Sequence, residues 1–157
     1  MQGLVGLLDG LGCKNIQTYI QSGNSVFQSK HKQSSKLTHA ICEKILESYG
    51  FEPKVLLLEE SEIQAAVDNN PYATKDGKAL HFFFLDSQPK NPDLERLTAA
   101  RSKSEKFELG NKLFYLYAPD GIGRSKLAAM VEKSLGVPAT ARNWNTVRKL
   151  LGLIRQA

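Results

Sequence analysis

The chain is poor in the residues that most often announce chemistry. It holds two cysteines, three histidines and one tryptophan in 157 residues. Cys13 and Cys42 are too few for a disulfide framework, and neither sits in a His/Cys cluster with zinc-ligand spacing. Both read as reduced thiols of a cytoplasmic protein. His31 and His39 flank a helix start without a carboxylate pattern, and His81 enters an apolar strand. No Ser-His-Asp or Cys-His order stands out, so the sequence names no catalytic residue, no metal and no cofactor, and whether the chain is an enzyme stays open. The longest apolar run, around Phe82, is far short of the ~18 residues that a membrane span needs. The start has no cationic segment leading into an apolar stretch, which argues against a signal peptide.

What is present is a soluble, foldable composition. The chain is 41% hydrophobic, and a globule of this length buries roughly 68–70% of its unfolded surface. Its net charge of +5 is unevenly placed. Residues 1–119 hold fourteen basic and fourteen acidic side chains, whereas residues 120–157 hold seven basic ones against Asp120 and Glu132. Clustered cations raise the local concentration of anions, so the last quarter points to an anionic partner. Lys133, Lys149 and Arg155 read instead as a solvated helical face.

Leu4, Leu7, Leu8 and Leu11 recur with helical spacing, and Gly12 is placed to stop that helix. Short strands follow at 16–21 and 25–28 around Ser22-Gly23-Asn24, a turn of hairpin composition. Leu37, Ile41, Ile45 and Tyr49 make one helical stripe, with Cys42 and Leu46 beside it. Residues 55–58 are an unbroken apolar run, as expected of a strand buried on both faces. Ser61 and Gln64 suit a capping box for a short helix that must end before Pro71. A second cycle begins with a strand at 80–85 and a helix opened by Asn91 and Pro92. Strands at 106–109 and 112–117 flank Gly110-Asn111, a helix covers 125–135 and ends at Gly136, and a strand at 137–142 contains Pro138, which belongs at an edge or a strand start. Asn143 is placed to cap a terminal helix with Val147, Leu150, Leu151 and Ile154 inward.

The predicted architecture is α+β: tandem ferredoxin-like halves of split βαββαβ order, the first lacking its opening strand. It divides into residues 1–72, residues 73–142 and a terminal helix over 143–157. In such a sheet the missing strand is central. The open slot beside 55–58 predicts homo-oligomerisation, and a melting point below that of a version extended by an apolar strand.

Four segments carry a family likeness: Tyr19-Ile20-Gln21-Ser22-Gly23-Asn24, Asn70-Pro71-Tyr72, Tyr117-Ala118-Pro119-Asp120-Gly121-Ile122-Gly123-Arg124-Ser125-Lys126-Leu127, and Thr140-Ala141-Arg142-Asn143-Trp144-Asn145-Thr146. Together they resemble the bacterial family known as domain of unknown function 1697, over essentially the whole chain. The resemblance implies tandem ferredoxin-like halves and no established activity. The start departs from the family, where a strand and a glycine-rich loop usually precede the first helix.

Two places concentrate polar chemistry. At Gly121, Gly123, Arg124, Ser125 and Lys126, glycines allow close backbone approach, a helix start offers unpaired N–H donors, and the side chains add a guanidinium, a hydroxyl and an ammonium. This suits a small phosphorylated or carboxylate ligand, although the glycine spacing is not that of a P-loop. The same residues also serve a plain turn, with Ser125 as N-cap and Asp120 bonding the turn backbone. Arg142, Asn143 and Asn145 form the second place, where capping explains Asn143 and burial explains Trp144 but neither explains Arg142 or Asn145. The loop before the second helix and the end of the fourth strand are expected at opposite sheet ends, which leaves open whether the two places face each other. A competing reading is single-stranded nucleic acid stacked on Phe82, Phe84, Tyr115 and Tyr117 beside the basic last quarter. It requires those rings to be exposed.

Overall fold

The computed structural model describes residues 2–18, 24–29, 34–51, 55–72, 75 and 77–156. Residues 19–23, which include Ser22 and Gly23 of the expected turn, and His31 lie outside them. The fold is mixed α+β, with two antiparallel sheets and seven α-helices among the described residues. The chain forms two compact units, residues 1–64 with 149–157 and residues 65–148.

In the first unit, helix α1 (Gln2–Gly10) ends where the leucine periodicity does. Gly12 takes the left-handed conformation (φ 86°), and the N–H groups of Gly12 and Cys13 return to the Asp9 and Leu8 carbonyls at 3.0 Å each. This is the glycine stop expected at position 12. Strands β1 (Lys14–Thr18) and β2 (Ser25–Gln28) pair antiparallel, with a register shift between Lys14 and Gln17. Asn15 sits in the shift at φ 53°, and its side-chain amide donates to Gln28 Oε1 at 2.8 Å. Helix α2 (Ser34–Tyr49) buries Leu37 and Ile41 against Leu8 and Cys13, with Val55 and Leu57 packed alongside. The apolar stripe of α2 is only half used: Leu46 and Tyr49 are 48% and 54% exposed.

The strand expected at 55–58 is not formed. Residues 55–59 are irregular chain whose Val55 and Leu57 serve the core as half-buried packing. Hydrophobicity brought this segment inward, but it joins no strand ladder among the described residues. The slot predicted beside it therefore loses its wall. Helix α3 (Glu60–Asp68) starts one residue before the expected cap, Ser61. The Glu59 N–H donates to Glu62 Oε1 at 3.0 Å, so Glu62 plays the reciprocal role assigned to Gln64.

The second unit is a four-stranded sheet, β3 (Leu80–Leu85), β4 (Lys106–Gly110), β5 (Leu113–Tyr117) and β6 (Ala139–Asn143), in the order β4-β5-β3-β6 with every neighbour antiparallel. Pro138 directly precedes β6, which lies at the sheet edge as its proline predicts. Helix α4 (Leu94–Ala100) is capped by Asp93, whose carboxylate accepts from the Arg96 N–H at 3.1 Å, and not by Asn91. The helix expected over 125–135 is broken: a 3₁₀ turn (Ile122–Arg124), α5 (Lys126–Ala129) and α6 (Val131–Leu135) join at Met130. Leu97, Leu127, Val131 and Leu135 cover Phe83, Leu85, Phe114 and Leu116 on one sheet face. On the other face Phe82 is fully buried, edge-on to Tyr115 with ring centroids 5.2 Å apart and 5.9 Å from Trp144. Helix α7 (Trp144–Gln156) opens on Asn143, whose Oδ1 accepts from the Thr146 N–H at 2.9 Å.

Residues 65–72 belong with this sheet because the Tyr115 hydroxyl donates to the Ala66 carbonyl at 2.7 Å and the Tyr72 and Tyr117 rings stack at 6.2 Å. Burial pushes the Tyr115 phenol up to about 12. The folded state thus favours the neutral phenol, a preference fully present below the ordinary value of ~10 and lost as pH rises towards 12. Tyr115→Phe should cost about 1–3 kcal/mol at neutral pH by orphaning the Ala66 carbonyl. It should also remove part of the loss of stability above pH 10, as chemical denaturation at paired pH values will show.

Candidate functional site

The register of β3 decides where the two polar places lie. Leu80 pairs with Tyr117 and His81 with Asn143, so β5 and β6 both finish at the end where β3 begins. The loop leaving β5 and the corner leaving β6 therefore share one sheet end, not opposite ones. The reason is directional: β5 and β6 each run against the same central strand. Two strand spacings separate Tyr117 from Asn143, roughly 10 Å.

At this end the loop after β5 opens with the Ala118 N–H bonded to the Ala79 carbonyl at 2.8 Å. Gly121 follows at φ 103° and ψ 138°, backbone that a side chain would strain. A Cβ on Gly121 or Gly123 would meet nothing within 4 Å. The Gly121 and Ser125 amides are taken by the Ala118 and Ile122 carbonyls at 3.1 Å each. Ser125 is buried, and its hydroxyl oxygen accepts from the Ala128 N–H at 3.0 Å, the capping role expected of it. Gly121, Gly123, Arg124 and Lys126 are exposed. Because α5 has four residues, little aligned dipole stands behind the turn. An anion here would be held chiefly by the Arg124 and Lys126 charges. Asp120 does not bond the turn backbone. Its carboxylate accepts from the Ser104 hydroxyl, which ties this loop to the α4–β4 connection.

Across the sheet end, Asn143 is engaged as the cap of α7. Arg142 pairs with Phe82 and so shares that residue's sheet face, away from the face on which Ala118 and Ile122 pack. Its Nη1 donates to the Ala141 carbonyl at 2.8 Å, and partial burial lowers its pKa. Asn145 is exposed but closely seated: a Cβ on Gly77 would lie 2.1 Å from its Oδ1. Gly77 leaves room for an Asn145 side chain lying across its backbone, a contact that nothing in the sequence around position 77 announces.

Sequence reasoning also passed over His81 as an ordinary core residue. It is 7% exposed, and its Nε2 has no hydrogen-bond partner among the described residues. Burial lowers its pKa, opposed by a hydrogen bond with the Lys78 backbone. A histidine inside an otherwise apolar strand was the available signal.

The nucleic-acid reading loses its platform, because Phe82, Phe84 and Tyr115 are buried and Tyr117 is half-buried. Among the described residues no group of three or more His, Cys, Asp or Glu could hold a metal ion, and no helix is long and apolar enough to cross a membrane.

The family model described as "Protein of unknown function (DUF1697)" matches residues 1–115. No curated protein matches the chain. Among solved structures, a conserved bacterial protein of Streptococcus pneumoniae superposes with a TM-score of 0.66 at 23% identity, covering 98% of this chain and 88% of that one. At that identity the likeness concerns the fold.

Gly77→Ala should drive Asn145 from its position at a cost of about 0.5–1.5 kcal/mol, the scale of a forced rotamer change. In an Asn145→Ala background the same substitution should be close to neutral. A double-mutant cycle by urea denaturation measures this coupling, and additive effects would mean that the two residues do not meet.

Proposed function

This chain belongs to the DUF1697 family, and we propose that it is a non-catalytic module binding a small anionic, phosphorylated ligand at residues 121–126, with Asn143 and Asn145 on the opposite side of the site. The observation carrying this reading is the shared sheet end, where Tyr117 and Asn143 pair with adjacent residues of one strand. The first 3₁₀ turn leaves N–H groups without intrahelical acceptors. Exposed Arg124 and Lys126 supply charge, the former with a planar fork suited to oxyanions. Arg142 stands on the other sheet face and is read as a packing residue. The order α1, β1, β2, α2 in the first unit supports reading it as a second, incomplete ferredoxin-like half.

Calorimetry and thermal shift with inorganic phosphate, nucleotides and acidic metabolites test the reading. Arg124→Ala combined with Lys126→Ala should weaken any bound anion at least about 10-fold, since each charge-assisted bond contributes on the order of 1.5–3 kcal/mol. Affinity should also fall as ionic strength rises. Unchanged affinity for every ligand that binds would place the site elsewhere.

A further inference from the structure

His81 is the buried polar group in the second unit that the anion reading does not use. Along β3, Phe83 and Leu85 face the helices whereas Phe82 faces Tyr115 and Trp144. Strand alternation puts His81 on the helix side, the side on which Ala118 and Ile122 pack. It is the second residue of β3, between the rows that end at Tyr117 and Asn143. The imidazole therefore lies on the sheet face, and near the sheet end, from which the loop carrying Gly121 and Arg124 departs. With one ring nitrogen engaged by the Lys78 backbone, Nε2 is left buried and without a partner among the described residues. A buried polar atom left unpaired destabilises the fold, and leucine at this position would avoid that cost.

Resting on the anion-site reading, we propose that His81 Nε2 accepts a hydrogen bond from the ligand, so that the ligand is a phosphorylated polyol or a similar anion bearing a hydroxyl or N–H donor next to its charge. In the neutral imidazole, a hydrogen bond donated to the Lys78 carbonyl fixes the proton on Nδ1 and leaves Nε2 as a pure acceptor. Neutrality matters, since an imidazolium would have no lone pair to offer. Because Nε2 is buried, binding through it requires a segment at this sheet end to move, and we assign that movement to residues 119–124. Gly121 and Gly123, with open space around both, supply the pivots.

The test compares glycerol 3-phosphate with propyl phosphate, which has the same length and charge but no hydroxyl. Calorimetry on the full chain should show at least about a 10-fold preference for glycerol 3-phosphate. His81→Leu should erase that preference while leaving propyl phosphate affinity intact. Should that variant fail to fold, 15N NMR of the wild-type imidazole gives the same answer. The Nε2 resonance should read as unprotonated in the free protein and should move with glycerol 3-phosphate but not with propyl phosphate. Equal binding of both ligands by the wild type overturns the role of His81 and leaves the anion site standing. So does a preference that survives His81→Leu, or an Nε2 resonance that neither ligand moves, which would mean that a trapped water satisfies it. If neither ligand binds at any concentration, the anion reading and this inference fall together.

Discussion

The double pairing of β3 is the constraint on which the second unit depends. Five consecutive residues, from Leu80 to Phe84, pair with β5, and five, from His81 to Leu85, pair with β6. A strand laddered on both edges and covered on both faces has no polar side to present, and all six of its residues are buried. Its position also determines chain direction. Both partners run against it, so both deliver their exits to one end. Moving β6 to the far side of β4 would leave the local structure of each polar segment unchanged and separate the two by the width of the sheet.

Local contacts then refine what topology has brought together. The Ser104–Asp120 hydrogen bond joins the connection before β4 to the loop after β5. Glu105, nearly fully buried, accepts from the Ser102 N–H at 2.9 Å and holds that connection in shape. Asn70 closes its own turn through Pro71, accepting from the Tyr72 N–H at 3.1 Å and donating to the Tyr72 carbonyl at 2.9 Å, and this sets Tyr72 against Tyr117. Three short polar devices thus surround an otherwise apolar sheet end. They cost little, because most of the groups involved remain in contact with water. The exposed cations at 124 and 126 are left uncommitted to this scaffolding, as a binding role requires.

The parts of this arrangement legible in the sequence were those set by local chemistry. Glycines at 12 and 136 end helices in the left-handed conformation because only their own backbone is involved. Asn143 caps α7 for the same reason, and Pro138 stands immediately before the edge strand β6. What failed needed a partner to decide it. Residues 55–58 are apolar enough for a buried strand, yet burial and strand pairing are separate demands, and only the first is met. The break at Met130 interrupts a stripe whose periodicity runs straight through it, with Leu127 and Val131 still on the core. Asp93 displaced Asn91 as a cap because both residue types satisfy the same geometry and spacing alone does not choose between them. The candidate residues at 121–126 and 143–145 were visible as polar clusters. Their common sheet end, the seat of Asn145 on Gly77 and the isolation of His81 depend on residues distant in sequence.

The central claim is that two loops, remote in sequence, form one anion site because they leave the same sheet end. An amide NMR titration of the 15N-labelled chain with phosphate addresses it directly. The account predicts that Ile122, Gly123 and Arg124 shift together with Asn143 and Asn145, following one saturation curve with a single dissociation constant. Shifts confined to one of the two loops, separate curves for the two, or shifts centred on other residues would contradict it.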